Sequence, residues 1–524
     1  MCTMHTMGEP MARDFTTDVL ICGAGAAGLT LAVDLARRGI AFRLVDKIAG
    51  PFAGSRGKGI QPRSQEVFED LGIVDRLAAA GGPYPPQRVY AADGTFADSA
   101  VVESSDPTPA EPYRTPLMVP QFLTEAVLRE RLAELGHRPE FGHELVAFAQ
   151  DKRGVTATIA EAKGKQTVRA RYLVGADGGR SFVRHTLAID FPGKTLGVRA
   201  LVADIFVDGV GRDAWHRWGE GSADQISLCP LAGTQMFQLQ GPIPLEGDID
   251  LSAQGLSALL AARTGRKDVA VRSVSWASAF NMNARIAEHY SIGRVFLAGD
   301  AAHIHPPTGG QGLNTSVQDS YNLGWKLAAV LHGAPDKLLA TYEEERRPIA
   351  AEMLGLTTGL LEAAKQGVMR RGREVHQLDI GYPQSSLRLE QPRRNGGVLA
   401  ADRAPDAPIR GAAGSAMRLF DLFRGPHWTL IGFGADRLCA IAPRPGLHIH
   451  AAGPGGDIAD DAGHLRAAYG LSPGDWVLVR PDGYIGAIVS SDHMQALETY
   501  LANAGVARGD APAARRSWFH FRKA

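Results

Sequence analysis

Residues 18–29 read Asp18-Val-Leu-Ile-Cys22-Gly23-Ala24-Gly25-Ala26-Ala27-Gly28-Leu29, an apolar run that breaks into a Gly-x-Gly-x-x-Gly turn and resumes with helical spacing. The apolar run reads as a buried parallel strand. Leu29, Ala32, Val33 and Ala36 then share one face of a helix over 26–38, and Gly39 stops it with a left-handed C-cap. A second strand over 41–46 completes a βαβ opening. In that setting Gly23 permits the tight turn, Gly25 lets backbone approach a diphosphate, and Gly28 lets helix and strand pack with no side chain between them. Ala27 lies in the same first helical turn, whose free N–H groups and partial positive charge favour an anion. Asp46, eighteen residues after Gly28 and followed by Lys47, stands where a carboxylate accepts from ribose hydroxyls and repels a 2′-phosphate.

Two further segments repeat the combination of glycines with an acid. One is Gly175-Ala-Asp177-Gly178-Gly179, at the end of a strand over 171–174. The other is Gly299-Asp300-Ala-Ala-His303, after a strand over 294–297, running on to Gly309-Gly310-Gln311-Gly312-Leu313-Asn314. Any one of these alone is most simply a turn without a ligand. Three in this order point to a large two-headed dinucleotide, with FAD the best candidate, and hence to redox chemistry. In the last segment glycines let backbone amides lie against a flat ring. The following helix directs its positive end at the pyrimidine edge, where reduced flavin carries negative charge.

The rest of the chain supplies the frame. Its 524 residues are enough for two to four domains. Lys+Arg and Asp+Glu both number 56, which leaves no bulk field to hold a nucleic acid or an anionic membrane. No apolar run reaches the roughly 18 residues of a membrane helix. Residues 1–15 read as a disordered leader rather than a secretory signal. Cys2, Cys22, Cys229 and Cys439 are scattered without metal-ligand spacing, so a reducing cytoplasm fits and no metal is implied. From about 191 to 280 β-branched and aromatic residues alternate with polar ones, suggesting a mostly antiparallel sheet with one covered face. Long helices are expected over 315–332 and 338–364, a charged linker over 366–400, and a separate unit from about 401 that holds a hairpin turning at Pro481-Asp482-Gly483.

The glycine triplet resembles the signature of single-component, FAD-dependent aromatic hydroxylases, the group of para-hydroxybenzoate and phenol hydroxylases. Ser55-Arg-Gly-Lys-Gly-Ile-Gln-Pro-Arg-Ser-Gln-Glu-Val-Phe68 and the stretch from Gly299 to Thr315 are close to the branch of polyketide-tailoring and chlorophenol hydroxylases. The likeness runs over about 15–520. It implies an α/β fold: a Rossmann-like FAD-binding domain (15–190 and 285–400), an inserted, mostly antiparallel β-sheet substrate domain (191–284) and a thioredoxin-like C-terminal domain (401–524). It implies that Asp300 binds the ribityl or diphosphate region, that Asp177-Gly178 serves both FAD and the nicotinamide cofactor, that Arg56 belongs to a flexible segment near the FAD and that Gln121 lies near the ribityl chain. Pro307, with Pro306, would shape the loop beside the ring. The implied reaction is hydroxylation of a phenolic or polycyclic aromatic substrate. NADH or NADPH reduces the flavin, and O₂ then forms a C4a-hydroperoxide. No second Gly-x-Gly-x-x-Gly offers the nicotinamide cofactor a domain of its own, so a surface groove is expected.

Other residues carry weaker readings. His303 reads as a loop support. His305 is the better candidate to face the pocket, and the base that would deprotonate a phenol is not identified. Trp215, Trp218, Met236 and Phe237 offer an apolar wall for an aromatic substrate, although residues at such spacing are more often plain core, and Trp215 and Trp218 are placed in an exposed loop. Cys439 stands alone, so thiol exchange is unsupported in the C-terminal domain, and packing or homodimer formation is preferred. The basic, aromatic tail 515–523 reads as a docked or frayed terminus. Competing functions are a flavin oxidoreductase of another type (oxidative decarboxylation, Baeyer–Villiger oxidation or desaturation) and an FAD-binding protein without turnover. A halogenase would need a lysine-bearing, Trp-rich motif, which is not found.

Overall fold

The structure, a computed structural model, describes residues 15–103, 105–219, 224–306, 309–365, 371–394, 396–435 and 441–506. Pro307, Cys2, Cys439 and the tail 515–523 lie outside the described residues. The chain divides into two compact units. One holds the described residues up to Ala328 together with Ala340–Ile380, and the other holds Ala329–Leu339 and the described residues from Gly381 onward.

The first unit is built on two sheets. In the nucleotide-binding sheet, β1 (Thr17–Cys22) lies between β2 (Phe42–Asp46) and the strand Gly164–Gly175, and Val295–Leu297 lies beyond that strand, all parallel. Val19, Leu20 and Ile21 are fully buried, as a strand covered on both faces requires. Helix α1 (Ala26–Arg37) covers one face, and Gly39 follows at φ +70° as the left-handed terminator expected from its position. The helix Gln311–Leu331 packs beside α1: the Ser320 hydroxyl donates to the Ala27 carbonyl at 2.8 Å, and Gly324 leaves room for the buried Asp34. Asp34 is held by Arg37 at 2.7 Å and Arg38 at 2.9 Å, which keep its carboxyl below the usual range against the opposing effect of burial.

The second sheet is dominated by two long antiparallel strands, Gly193–Asp208 and Ala270–Ile286, followed by Phe237–Ile243, Ile226–Pro230 and Trp215–Trp218. The alternating pattern read from about 191 to 280 is therefore a sheet, but its membership is wider than the sequence suggested. Gln87–Tyr90 adds a parallel edge against Trp215–Trp218, and His303–Ile304 pairs with the far end of Ala270–Ile286. The region also holds a helix, Ala253–Thr264, where helical periodicity had seemed to fade. Only Leu256 and Leu260 of that helix are buried, so its apolar stripe is one residue wide and easily missed. It covers the sheet face made by Leu201, Ala203, Ile205, Leu228, Phe237 and Leu239.

The second unit contains a mixed sheet. Trp428–Phe433 pairs parallel with Leu447–Ala452 and antiparallel with Asp475–Val479, which forms a hairpin with Ile485–Ser490 through the expected Pro481-Asp482-Gly483 turn. Part of the expected linker joins this sheet, because Leu389–Gln391 pairs parallel with Ile485–Ser490.

Candidate active site

The three glycine segments converge because the strands that precede them are neighbours. Cys22 pairs with Val45 on one side and Gly175 on the other, and Gly175 pairs with Leu297. Four carboxyl ends of parallel strands therefore stand in one row, the place where open α/β sheets bind ligands. Asp46, Gly23, Asp177 and Gly299 lie one or two residues past that row.

Steric demands explain the glycines at this edge. Gly23 has φ +108°, and a Cβ there would overlap the Ala176 carbonyl. A Cβ on Gly28 would overlap the Gly23 carbonyl and reach Leu44 at 3.4 Å. At Gly299, φ is +62° and a Cβ would stand 3.0 Å from both Ala27 and Ser316, so the turn is pinned between two helix N-terminal ends. Helix α1 begins at Gly25 with no side-chain cap and no acid in its first turn. The Ala27 and Gly28 amides have no intrahelical partner at this N-terminus, a cradle that suits a diphosphate.

Two carboxylates border the cradle. Asp46 accepts from the Ala24 amide at 2.7 Å and the Ile48 amide at 3.1 Å, which fixes it at the end of β2, while Lys47 beside it is exposed. Asp177 accepts from Val183 N at 3.1 Å through Oδ2, whereas its buried Oδ1 has no hydrogen-bond partner among the described residues. Such an orphan acceptor calls for a donor from outside the chain. Asp300 is crowded by protein yet keeps its surface open to solvent, as a carboxylate on a cleft floor does. That crowding raises its pKa, and His303 and Arg56 oppose the rise.

Glu125, one helical turn after Gln121, joins the site without a motif of its own. It is 1% exposed, accepts from Gln121 Nε2 at 2.8 Å and lies within bonding reach of the Ala26 amide. Burial pushes its carboxyl up to about 7, and Gln121 and Arg129, 3.9 Å away, oppose the shift. Gln121 also accepts from the Arg56 amide at 3.2 Å, which ties the 55–59 segment to the helix Gln121–Glu134. Glu125 carried no sequence signal beyond a helical spacing of four from Gln121.

The third segment is folded against the same 55–61 stretch. Asn314 accepts from Gln61 N at 2.8 Å and donates to the Gly59 carbonyl at 2.8 Å and the Gly310 carbonyl at 2.6 Å. Leu313 is half-buried beside Gly57, and Cβ atoms at Gly178 and Gly312 would meet nothing within 4 Å. The backbone at these two glycines is thus open on one side, as a surface lying against a flat ring would be.

Opposite, the second sheet presents a row of side chains fixed by register. Trp276 pairs with Asp204, Asp204 with Gln238, and Gln238 with Cys229, so all four point to one face. That face receives residues 52–58. Trp276 meets the Phe52 ring edge-on at 5.4 Å and leaves no room for a side chain at Gly54. Lys58 donates to Gln238 Oε1 at 2.6 Å and sits 4.3 Å from the centre of the Trp215 ring, and Gln238 Nε2 donates to the Ser55 carbonyl at 2.5 Å. Burial holds the Lys58 ammonium below its usual range and pushes the Asp204 carboxyl up to about 6. Asp204 lies close to Ser55 without a well-directed hydrogen bond to either oxygen.

The four residues read as a pocket wall separate here. Trp215 and Trp218 are not in an exposed loop: they are 3% and 5% exposed in the strand Trp215–Trp218, whose edge is closed by Gln87–Tyr90. Trp215 faces Met118, Cys229 and Lys58. Trp218 and Phe237 point to the opposite face, into the core beneath the helix Ala253–Thr264. Met236 is nearly buried just before the strand Phe237–Ile243, its carbonyl accepting from Leu231 and Arg212. Among the described residues no metal-binding cluster occurs, and no helix is long and apolar enough to cross a membrane.

Comparison with known proteins gives a consistent picture. The model of a family described as an FAD binding domain matches residues 16–357. A flavin-dependent monooxygenase of Mycobacteroides abscessus is 42% identical over 481 residues, covering 90% of this chain and 97% of the relative. The 6-methylpretetramide 4-monooxygenase of Streptomyces rimosus is 34% identical over 508 residues, covering 90% of each. Among solved structures, aklavinone-11 hydroxylase with FAD and aklavinone has a TM-score of 0.81 at 27% identity, covering 94% of this chain and 99% of that one.

Proposed function

The chain belongs to the FAD-binding family of aromatic monooxygenases, and we propose that it hydroxylates a phenolic or polycyclic aromatic compound at the expense of NADH or NADPH. The observation that carries this reading is the row of four strand ends, where a diphosphate cradle, two carboxylates and an orphaned Asp177 oxygen face one edge. Those groups fit FAD. Asp46 would hold the adenosine ribose, and the first turn of α1, with Gly23, Gly25, Ala27 and Gly28, the diphosphate. Asp177, Gly178, Gly299, Asp300, Arg56 and Gln121 would line the ribityl stretch, and Gly310, Gly312, Leu313 and Asn314 the ring.

When bound, FAD would supply the acceptance of a hydride from NADH or NADPH and the activation of O₂. The chain binds, orients and keeps water out. The glycines exclude side chains from the contact surface, so the cofactor meets preorganised amides rather than mobile groups. The Trp276–Asp204–Gln238–Cys229 row holds residues 52–58 against that surface, which narrows the entry of solvent. Names of relatives such as anhydrotetracycline monooxygenase and rifampicin monooxygenase suggest a bulky fused-ring substrate.

The test is to purify the protein, record its flavin absorbance, and follow NADH and NADPH oxidation with anhydrotetracycline, rifampicin and aklavinone in turn. Stimulated oxidation with one oxygen atom gained by the compound supports hydroxylation. Ring expansion, loss of CO₂ or desaturation would transfer the chain to the other oxidoreductase classes. Protein that refuses FAD would defeat the reading.

A further inference from the structure

We propose that His305 is the accepting end of a buried proton relay, His305–His303–Asp319, which takes the proton released by the hydroxyl group of a bound phenolic substrate. The inference rests on the function proposed above and supplies the base that the sequence alone did not identify.

The relay is defined by hydrogen bonds that select one set of tautomers when His303 is neutral. Asp319 is fully buried and accepts from Arg346 Nε at 2.9 Å, from Gly299 N at 3.3 Å and from His303 Nε2 at 2.6 Å. Burial would raise its pKa, but the Arg346 guanidinium and the hydrogen bond from His303 hold it below the usual carboxylate range, so it is an acceptor only. His303 Nε2 therefore carries a proton. In neutral His303 the other nitrogen, Nδ1, bears a lone pair, and it lies 2.9 Å from His305 Nε2. His305 must then donate through Nε2, which leaves its own Nδ1 as a bare acceptor. That atom is buried and has no hydrogen-bond partner among the described residues. Three consecutive bonds thus fix one unpaired acceptor, and a buried orphan of this kind calls for a partner that arrives from outside.

Placement puts the acceptor where it is needed. The turn Gly299–Ala301 closes the nucleotide-binding sheet, and His303–Ile304 then pairs with the substrate-side strand Ala270–Ile286. His305 follows immediately, five residues before Gly310. It therefore follows the point where the two sheets meet and precedes, in sequence, the segment proposed to hold the flavin ring. The ionisable groups around the relay are Asp300 on the same turn, Arg184, which donates to the Ala301 carbonyl at 2.8 Å, Arg285 opposite Ile304, Tyr290 stacked on His303, and Arg346.

The energetics favour a relay over a lone base. Burial pushes the His305 imidazolium down to about 3, and a positive charge arriving on His303 adds to the push, so a proton cannot rest there at neutral pH. It can pass on. As the phenol O–H breaks, a proton joins His305 Nδ1, and the proton on His305 Nε2 moves to His303 Nδ1. The products are phenolate, neutral His305 and a His303 imidazolium paired with the Asp319 carboxylate. One proton has moved, no electrons have been exchanged, and the new positive charge lies beside the buried anion.

The experiment uses the FAD-loaded protein and compares His305→Gln with wild type. The amide can still donate to His303, so the loop hydrogen bond survives while the proton acceptor is removed. With whichever of anhydrotetracycline, rifampicin or aklavinone stimulates NADPH oxidation, kcat for hydroxylation should fall about 100-fold at pH 7. It should recover toward high pH, where the phenol ionises unaided, with FAD affinity retained. An unchanged rate, or a loss that is equal at all pH values, would overturn the relay in favour of a purely structural chain. A second measurement needs no substrate: ¹⁵N-imidazole spectra of the holoprotein, with His305 assigned from the variant. A neutral Nε2–H tautomer with a bare Nδ1 supports the relay, and an Nδ1–H tautomer overturns it. Wild-type protein that takes up no FAD would bring down the proposed function itself, a result distinct from either.

Discussion

The nucleotide end and the substrate-side clamp of the proposed site are held by different physics. At the strand ends backbone meets backbone or the root of a small side chain: Gly23 lies on the Ala176 carbonyl, Gly28 on the Gly23 carbonyl, and Gly299 against the Ala27 and Ser316 side chains. Across residues 52–58 the contact is made by side chains, with one amide, Gln238, bridging Lys58 and the Ser55 carbonyl. The first arrangement tolerates no added atom, whereas the second loses hydrogen bonds one at a time. The cradle should therefore fail abruptly and the clamp by degrees.

The sharpest contrast comes from Gly28→Ala against Gly312→Ala. The first places a methyl on the Gly23 carbonyl, with rigid backbone on both sides. It should abolish FAD uptake and lower the melting temperature steeply. The second meets open space in the protein, so the apoprotein should melt as wild type while its FAD affinity drops. Equal behaviour of the two would break the distinction. Calorimetry with a flavin titration decides it.

Gln238→Met tests the clamp. It leaves a buried ammonium and a buried carbonyl without their shared partner, at a cost of about 2 to 4 kcal/mol, readable in denaturant unfolding. Lys58→Met removes the charge along with its bond and should cost less. If the order is reversed, the amide is not the bridge.

Glu125 offers a comparison in pH. Its folded pKa of about 7 lies above that of the unfolded chain, so the folded state binds the extra proton. Stability is therefore lost as pH rises from the unfolded value through about 7, and stays lost above it. Glu125→Gln should match wild type near pH 4 and exceed it by about 3 kcal/mol at pH 8. A difference that does not vary with pH would remove Glu125 from the buried corner. The smallest effect is expected for Asp46→Asn, whose carbonyl oxygen can keep one of the two amide contacts, from Ala24 or from Ile48, while acceptance from ribose hydroxyls weakens. FAD binding should weaken roughly tenfold, about 1.4 kcal/mol, in a flavin fluorescence titration.

The βαβ opening, Asp46 and the three glycine segments were legible in the chain because their demands are local. A positive φ or a missing Cβ is a property of one position, and a strand-to-helix change of period shows within a dozen residues. The alternation read from about 191 to 280 belongs to the same class, since a pleated strand repeats every two residues. What local pattern cannot report is which face of a strand meets what. Gln238 and Phe237 alternate as a wet-and-dry pair should, yet both are buried, because the face carrying Gln238 is covered by a segment 180 residues earlier in the chain. The same blindness put Trp215 and Trp218 in a loop and overlooked Glu125, whose burial depends on α1 packing against the helix Gln121–Glu134. Tautomers of His303 and His305 likewise followed only once Asp319 and Arg346 were brought beside them. By itself, then, the sequence determined the glycine turns at the strand ends, through steric rules acting within a few residues. The clamp, the perturbed carboxylates and the His305–His303–Asp319 hydrogen-bond chain were decided by the tertiary structure, because burial and hydrogen-bond partners are properties of neighbours in space.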